Sequence, residues 1–143
     1  MNKNYTSKEQ SKKLIELGID PNTGDGYYKC IDEDLYDLVP KSYQEWSENY
    51  KGSLIRKETS VIPAWSLVGL LKLMPKVISI KAGEYSAYFY FLEWQFANDN
   101  SLRYVGNDRK CLIDIYSDHD YNYKDEIDTA VEMIVWLKEN KKI

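Results

Sequence analysis

One stretch decides the fold class: YSAYFYFLEW, residues 85–94. Aromatic side chains are enriched in strands, so this stretch predicts one long strand. Apolar and polar residues do not alternate cleanly along it, which favours a strand that is covered, at least in part, on both faces. Turn-forming residues follow at 98–101, and shorter strands are predicted at 77–80, 102–105 and 111–116.

Three helices are predicted around these strands. Thr6-Ser7-Lys8-Glu9 has the form of a capping box, in which Thr6 and Glu9 each bond the other's backbone amide. That helix should end near Leu17, with Gly18 as the left-handed residue after it. Residues 63–74 are apolar almost all round, which predicts a buried central helix, and residues 126–140 carry apolar residues at the spacing of a helix core face.

The first half of the chain predicts further strands. Residues 27–31 form one, residues 35–39 return as its hairpin partner, and Pro40 ends it. Residues 41–60 are either a long loop or a short helix followed by a strand. Neighbouring strands with separate helices predict an α+β fold, with about three helices on a mainly antiparallel sheet of about four to six strands. The length of 143 residues predicts one domain, residues 1–143.

Composition and charge narrow the classes of partner. The net charge of −4 and the isoelectric point of about 5.1 argue against nucleic acid and against an anionic membrane surface, but permit a cationic protein surface. No apolar run approaches the ~20 residues of a membrane span, and the first residues lack a signal-peptide core. These features favour a cytoplasmic location, where Cys30 and Cys111 are expected to be buried, reduced thiols; a disulfide between them is the less favoured alternative.

Signatures of catalysis are missing from the sequence. His119 is the only histidine, and it lies in Asp118-His119-Asp120, a short distance after Asp114. These four residues form either a carboxylate-rich site or a solvated loop, and the loop is favoured because consecutive polar residues between a strand and a helix are commonly solvent-exposed. No nucleophile, phosphate-binding or metal-binding motif is present. We therefore expect no cofactor and no metal, and we favour a non-enzymatic protein over an enzyme.

Aromatic residues offer the best candidates for a contact surface. Trp46 lies in polar surroundings, which is typical of an exposed interface anchor, although it is also compatible with a cover over a small apolar cluster. Tyr43, Tyr121 and Tyr123 are candidates of the same kind. Trp65 is instead assigned to the core.

Three blocks of sequence resemble one family when taken together. They are TSKEQSKKLIELGIDP (residues 6–21), IPAWSLVGLLKLMP (residues 62–75) and IDTAVEMIVWL (residues 127–137). In that order they resemble a family of small uncharacterised proteins from phages, prophages and conjugative elements of gut bacteria. Where those relatives tend to read Thr-Ala-Asp-Met, this chain has Thr23-Gly24-Asp25-Gly26. The resemblance implies an intracellular accessory protein of a mobile element, and it carries over no catalytic residue.

The leading hypothesis is a non-enzymatic accessory protein that binds a host or phage protein. The first alternative is a protein that binds a small, nucleotide-like molecule in a pocket lined by tyrosine and tryptophan. The second is a hydrolase that uses Asp114, Asp118 and His119. A homo-oligomer is compatible with each of the three.

Overall fold

The architecture is known from a computed structural model, which describes residues 4–32, 35–40, 61–96, 100–117 and 124–143. These residues form three α-helices and seven strands in two antiparallel sheets, which confirms the α+β prediction. In chain order the elements are α1 (Lys8–Glu16), a short 3-10 helix (Pro21–Thr23), β1 (Gly26–Asp32), β2 (Leu35–Pro40), β3 (Val61–Ala64), α2 (Leu67–Lys72), β4 (Val77–Lys81), β5 (Ala87–Phe96), β6 (Asn100–Gly106), β7 (Cys111–Ser117) and α3 (Glu126–Glu139).

The chain divides into two compact units, residues 4–70 and residues 71–143. In the first unit, β1 is the central strand of a three-stranded sheet with the order β2-β1-β3. The predicted hairpin of β1 and β2 is confirmed, with Tyr27 opposite Val39. Tyr27 is fully buried and forms a small core with Val61 and Val39. The prediction of one domain stays a prediction.

The predicted capping box lies one residue further along the chain than expected. Ser7, not Thr6, caps α1: its Oγ accepts from the Gln10 amide at 3.1 Å, and the Gln10 side chain accepts from the Ser7 amide at 2.9 Å. Thr6 does not cap α1, because its side chain is fully buried and its Oγ1 accepts from the Trp65 amide at 3.1 Å. At the other end of α1, Gly18 has a φ of 93°, as the sequence predicted.

The predicted central helix, residues 63–74, is wrong over its first four and its last two residues. Residues 61–64 form β3, in which every residue is buried, and the helix that follows is limited to Leu67–Lys72. An apolar run without a clear period is compatible with either structure. Pro63 is tolerated in β3 because that strand lies at the edge of the described sheet. Trp65 is fully buried, as predicted, but it precedes α2.

The second unit contains a four-stranded antiparallel sheet with the order β4-β5-β6-β7, and α3 packs on β6 and β7. The face toward α3 carries Leu102, Tyr104 and Ile115, all buried. The predicted core residues of the last helix are also all buried: Ile127, Ala130, Val131, Ile134 and Leu137. The Tyr104 hydroxyl donates to the Pro75 carbonyl at 2.7 Å, and burial raises the pKa of Tyr104 well above its usual range.

Strand β5 is more exposed than its sequence indicated. It runs over Ala87–Phe96, two residues later than predicted. Tyr88, Phe89, Phe91 and Trp94 are all close to half exposed or more. The blurred alternation in the sequence therefore reflects apolar side chains on two incompletely covered faces.

Candidate functional site

Most residues proposed from the sequence lie outside the described part of the chain. Tyr43, Trp46, Tyr121 and Tyr123 do so, and the predicted contact surface that they would form stays a prediction. The same holds for residues 118–120, which include His119. Asp114 is described: it lies in β7, is exposed, and its Oδ1 accepts from the Ser101 hydroxyl at 3.0 Å.

Ser117 has a structural role at the end of β7. Its buried hydroxyl accepts from the Lys124 amide at 2.7 Å and donates to the Lys124 carbonyl at 3.0 Å. The Asn100 amide donates to the same carbonyl at 2.7 Å. These bonds join the residue before segment 118–123 to the residue after it. Asp114 and Ser117 are three positions apart in a strand, so their side chains lie on opposite faces of the sheet.

The glycine-containing segment at 23–26 is also structural. The Asp25 carboxylate accepts from the Ser66 amide at 2.7 Å and from the Ser66 hydroxyl, which itself accepts from the Gly69 amide. Asp25 thereby orients the serine that satisfies the start of α2. A Cβ added at Gly24 would lie 2.9 Å from the Ala64 carbonyl oxygen, and one at Gly26 would lie 2.7 Å from the Tyr5 ring. Glycine is needed here for close packing of the chain, which fully accounts for the two glycines.

The remaining candidate is the face of the four-stranded sheet opposite α3, which we call the open face. Its position follows from register, because residues directly opposite each other on neighbouring strands point to the same side. Asn100 and Ser117 bond to Lys124, two residues before the start of α3. The side of the sheet that carries Asn100, Ser117, Leu102 and Ile115 is therefore the side toward α3. The alternate residues form the open face, in three rows across the strands: Val77–Phe91–Val105–Cys111, Glu93–Arg103–Asp114 and Gln95–Ser101–Tyr116. Phe89 lies beside the first row, opposite Ser79.

Four large apolar side chains of the open face are about half exposed. Their exposed fractions are 43% for Val77, 46% for Phe91, 51% for Phe89 and 52% for Tyr116. Strand pairing holds them in place, since β5 is hydrogen-bonded to β4 on one side and to β6 on the other. The face therefore presents apolar and aromatic groups on a rigid frame.

The middle row of the open face is charged. One Glu93 carboxylate oxygen lies 3.4 Å from Nη2 of Arg103, and the other lies 3.6 Å from Nη1 of Arg109. Arg109 belongs to the turn between β6 and β7 and has a φ of 64°. Among the ion pairs of the described residues, none involves Asp114.

A shallow depression of about 270 Å³ lies at this row. It is lined by Glu93, Trp94, Gln95, Ser101, Arg103, Asp114 and Tyr116. A second depression of about 460 Å³ lies where β5 extends past the end of β6. Tyr88 and Tyr90 line it together with Lys110 from the turn between β6 and β7.

Cys111 departs from its prediction. It is a free thiol, and it is exposed at the end of the first row of the open face, not buried. The strand that contains Cys111 was predicted correctly. Cys111 is exposed because it is the first residue of β7, an edge strand of the described sheet, where few neighbouring side chains shield it from solvent. The side chain of Cys30 lies outside the described parts of the chain.

Among the residues that the structure describes, no three histidine, cysteine, aspartate or glutamate side chains are grouped so that they could hold a metal ion. No helix formed by those residues has the length and apolar character needed to cross a membrane.

Comparisons of the chain with protein-family models, with curated proteins and with solved structures found no match in any of the three.

Sequence reasoning missed the residues of the open face as a group. Phe89 and Phe91 were visible as part of an aromatic strand, but Val77, which lies opposite Phe91, and Tyr116, which lies in the third row, come from other strands. The signal that could have joined them is the spacing of two between Phe89 and Phe91, combined with a correct register for all four strands.

Proposed function

We propose that this chain is a non-enzymatic binding protein that contacts a protein partner through the open face. One observation carries the proposal: Val77, Phe89 and Phe91 lie next to one another on one side of one sheet and are each about half exposed, and Tyr116 is half exposed on the same side. Grouped apolar side chains at a surface mark interaction sites more often than single exposed ones do.

The composition of the open face supports a protein as partner. Phenylalanine, tyrosine and arginine are enriched in protein interfaces, and all three occur here around a polar row. A mixed surface of this kind keeps the free protein soluble while it offers apolar groups to a partner. The resemblance to proteins of phages and conjugative elements supports a host or phage protein as that partner, and an accessory role for this chain.

A capture experiment with matched variants tests the proposal. The wild-type protein and two variants are immobilised and exposed to a lysate of the organism that encodes the protein, and retained proteins are identified by mass spectrometry. The first variant carries Phe89→Thr and Phe91→Thr, which preserve strand propensity and remove the two rings. The control carries Val68→Thr, a change of nearly equal volume at a residue of α2 that is 60% exposed.

The expected result is a stoichiometric partner retained by the wild type and by the control. The partner is then purified, and its affinity for the double variant should be at least about tenfold weaker, because aromatic anchors commonly account for such losses. A partner that binds the double variant as tightly as the wild type would show that the open face is not its site.

A second candidate function, binding of a small planar molecule, is favoured by the second depression. Its two tyrosine rings offer stacking surfaces, and the Lys110 ammonium offers a charge for an anionic group. Thermal unfolding in the presence of a set of nucleotides tests it, with Lys110→Gln as the variant. A rise in melting temperature that the variant loses supports this function, and unchanged melting with every nucleotide excludes those ligands.

A further inference from the structure

We propose that the end of β5 that extends past β6 binds an extended segment of the protein partner, which joins the sheet there as a short added strand. We call this end of β5, residues Ala87–Phe89, the β5 overhang. The inference rests on the proposed function, because it names the way in which the partner engages the sheet that carries the open face.

The β5 overhang has a strand neighbour on one side only. Residues 79–81 of β4 pair with it, whereas the pairing of β5 with β6 ends where Tyr90 lies opposite Gly106. From Gly106 the chain turns toward β7, and the Gly106 amide donates to the Lys110 carbonyl at 2.9 Å. Among the described residues, the side of the overhang toward β6 is therefore a free strand edge.

The alternation of hydrogen bonds along β5 shows which backbone groups point to this free edge. The Leu92 amide donates to the Lys76 carbonyl at 3.0 Å, so the backbone groups of Leu92 point toward β4. Because these directions alternate along an antiparallel strand, Tyr88 also points toward β4, and Ala87 and Phe89 point toward the free edge. No described residue forms a backbone hydrogen bond with the amide or carbonyl of Ala87 or Phe89 on that side.

The free edge opens into the depression of about 460 Å³. The overhang forms one wall of the depression, and the turn between β6 and β7 contributes Asn107, Asp108 and Lys110. This turn closes one end of the free edge, which distinguishes it from the outer edges of β4 and β7 and limits the register of an added segment. Three strand residues span about 10 Å, so the edge accepts a segment of about three to four residues.

The side chain of Phe89 favours an apolar residue in the added segment. A residue that pairs with Phe89 lies on the same side of the sheet and contacts its ring, which is 51% exposed. A β-branched or aromatic residue at that position covers the ring and extends the open face by one strand. In strand addition of this kind, main-chain hydrogen bonds supply affinity and alternate side chains supply specificity.

A peptide selection tests the inference without the partner. A phage-displayed library of random peptides of about seven residues is selected on the immobilised protein, and enriched peptides are synthesised. Hydrogen exchange of the backbone amides is then followed by NMR with and without saturating peptide. We expect exchange at Ala87 and Phe89 to slow at least about tenfold, and exchange at Tyr88, whose amide already points toward β4, to change less.

Two variants of Ala87 separate the main-chain contact from other effects. Ala87→Pro removes an amide that points to the free edge and none that bonds to β4, at the first residue of the strand, where proline is tolerated. Ala87→Val keeps the amide and is the matched control. If Ala87→Pro does not fold, an N-methyl scan of the peptide on the wild-type protein replaces it: methylation of alternate peptide amides should weaken binding, and methylation of the amides between them should not.

Ala87→Pro should weaken peptide binding at least about tenfold, because a main-chain hydrogen bond is lost and a peptide carbonyl is left without its donor. Ala87→Val should bind as wild type does. Peptides that leave exchange at Phe89 unchanged, or that bind Ala87→Pro undiminished, would overturn the inference, as would a selection that enriches no peptide. Self-association in gel filtration that Ala87→Pro abolishes would overturn it too, because the occupant would then be a second copy of the chain. Each of these failures leaves the partner-capture experiment intact, because that experiment depends on the rings of Phe89 and Phe91.

Discussion

Replacement of Thr6 by valine should destabilise the first unit strongly, although the two side chains have nearly the same shape. The Thr6 hydroxyl accepts from the Trp65 amide at 3.1 Å and bonds to the Ser11 hydroxyl at 2.8 Å. Thr6, Ser11 and Trp65 are all fully buried, so water cannot replace the lost partner. Each buried polar group left unsatisfied costs about 1–3 kcal/mol, which gives about 2–6 kcal/mol for Thr6→Val.

Two companion variants make this measurement specific. Thr6→Ser keeps the hydroxyl and removes one buried methyl group, which should cost about 1 kcal/mol. Ser7→Ala removes the side chain that caps α1 and should also cost about 1 kcal/mol. Urea unfolding of each variant is monitored by far-UV circular dichroism. The free energy of unfolding and its dependence on urea concentration are then compared among the variants.

The capping box predicted from the sequence gives a different order of effects. If Thr6 capped α1, Ser7→Ala would have little effect and Thr6→Val would cost no more than an ordinary lost cap, about 1 kcal/mol. A Thr6→Val variant as stable as Thr6→Ser would therefore refute the buried hydrogen-bond network of Thr6, Ser11 and Trp65.

Three further predictions concern the core, alkaline pH and nucleic acid. Leu70→Ala should cost about 2–5 kcal/mol in urea unfolding because Leu70 is fully buried, and a variant as stable as wild type would contradict its place in the core. Burial raises the pKa of Tyr104 in the folded state, so above pH ~10, where an unfolded tyrosine ionises, the unfolded state releases the proton first and stability falls as pH rises. Tyr104→Phe should therefore lose stability less steeply between about pH 10 and 11 than wild type, by up to ~1.4 kcal/mol per pH unit, and parallel profiles would contradict this. The protein should not bind DNA, because its net charge is −4 and the Lys8 ammonium already lies 4.5 Å from the centre of the Tyr36 ring. A gel-shift titration at ~50 mM salt, where electrostatic binding is exaggerated, is the test. Binding at micromolar or lower concentration would contradict this prediction.

Local sequence patterns were sufficient where one element decides its own structure. The last helix was predicted because its apolar residues recur at helical spacing and its first turn is acidic, and its cap at Asp125 is a capping box with Asp128. The end of α1 was predicted because a left-handed residue after a helix is commonly glycine, as Gly18 is.

Tertiary contacts decided the features that the sequence did not predict. Thr6 and Ser7 are both good caps, and the choice between them depends on a bond from Thr6 to Trp65, 59 residues away. Residues 61–64 are a strand because β1 is there to pair with them, which an apolar run alone does not reveal. The open face is a further case, since its rows exist only when β4, β5, β6 and β7 are in register.

The claim that a partner binds the open face is tested most directly by cross-linking from Cys111, the exposed thiol at the end of its first row. In a Cys30→Ser background, the thiol is labelled with a photoreactive benzophenone maleimide and irradiated with the captured partner. The control has both natural cysteines replaced by serine and carries Glu139→Cys, at an exposed position near the end of α3. We predict that the partner is cross-linked from Cys111 and not from position 139. Cross-linking from position 139 alone, or from Cys111 only to a second copy of the chain, would contradict the claim.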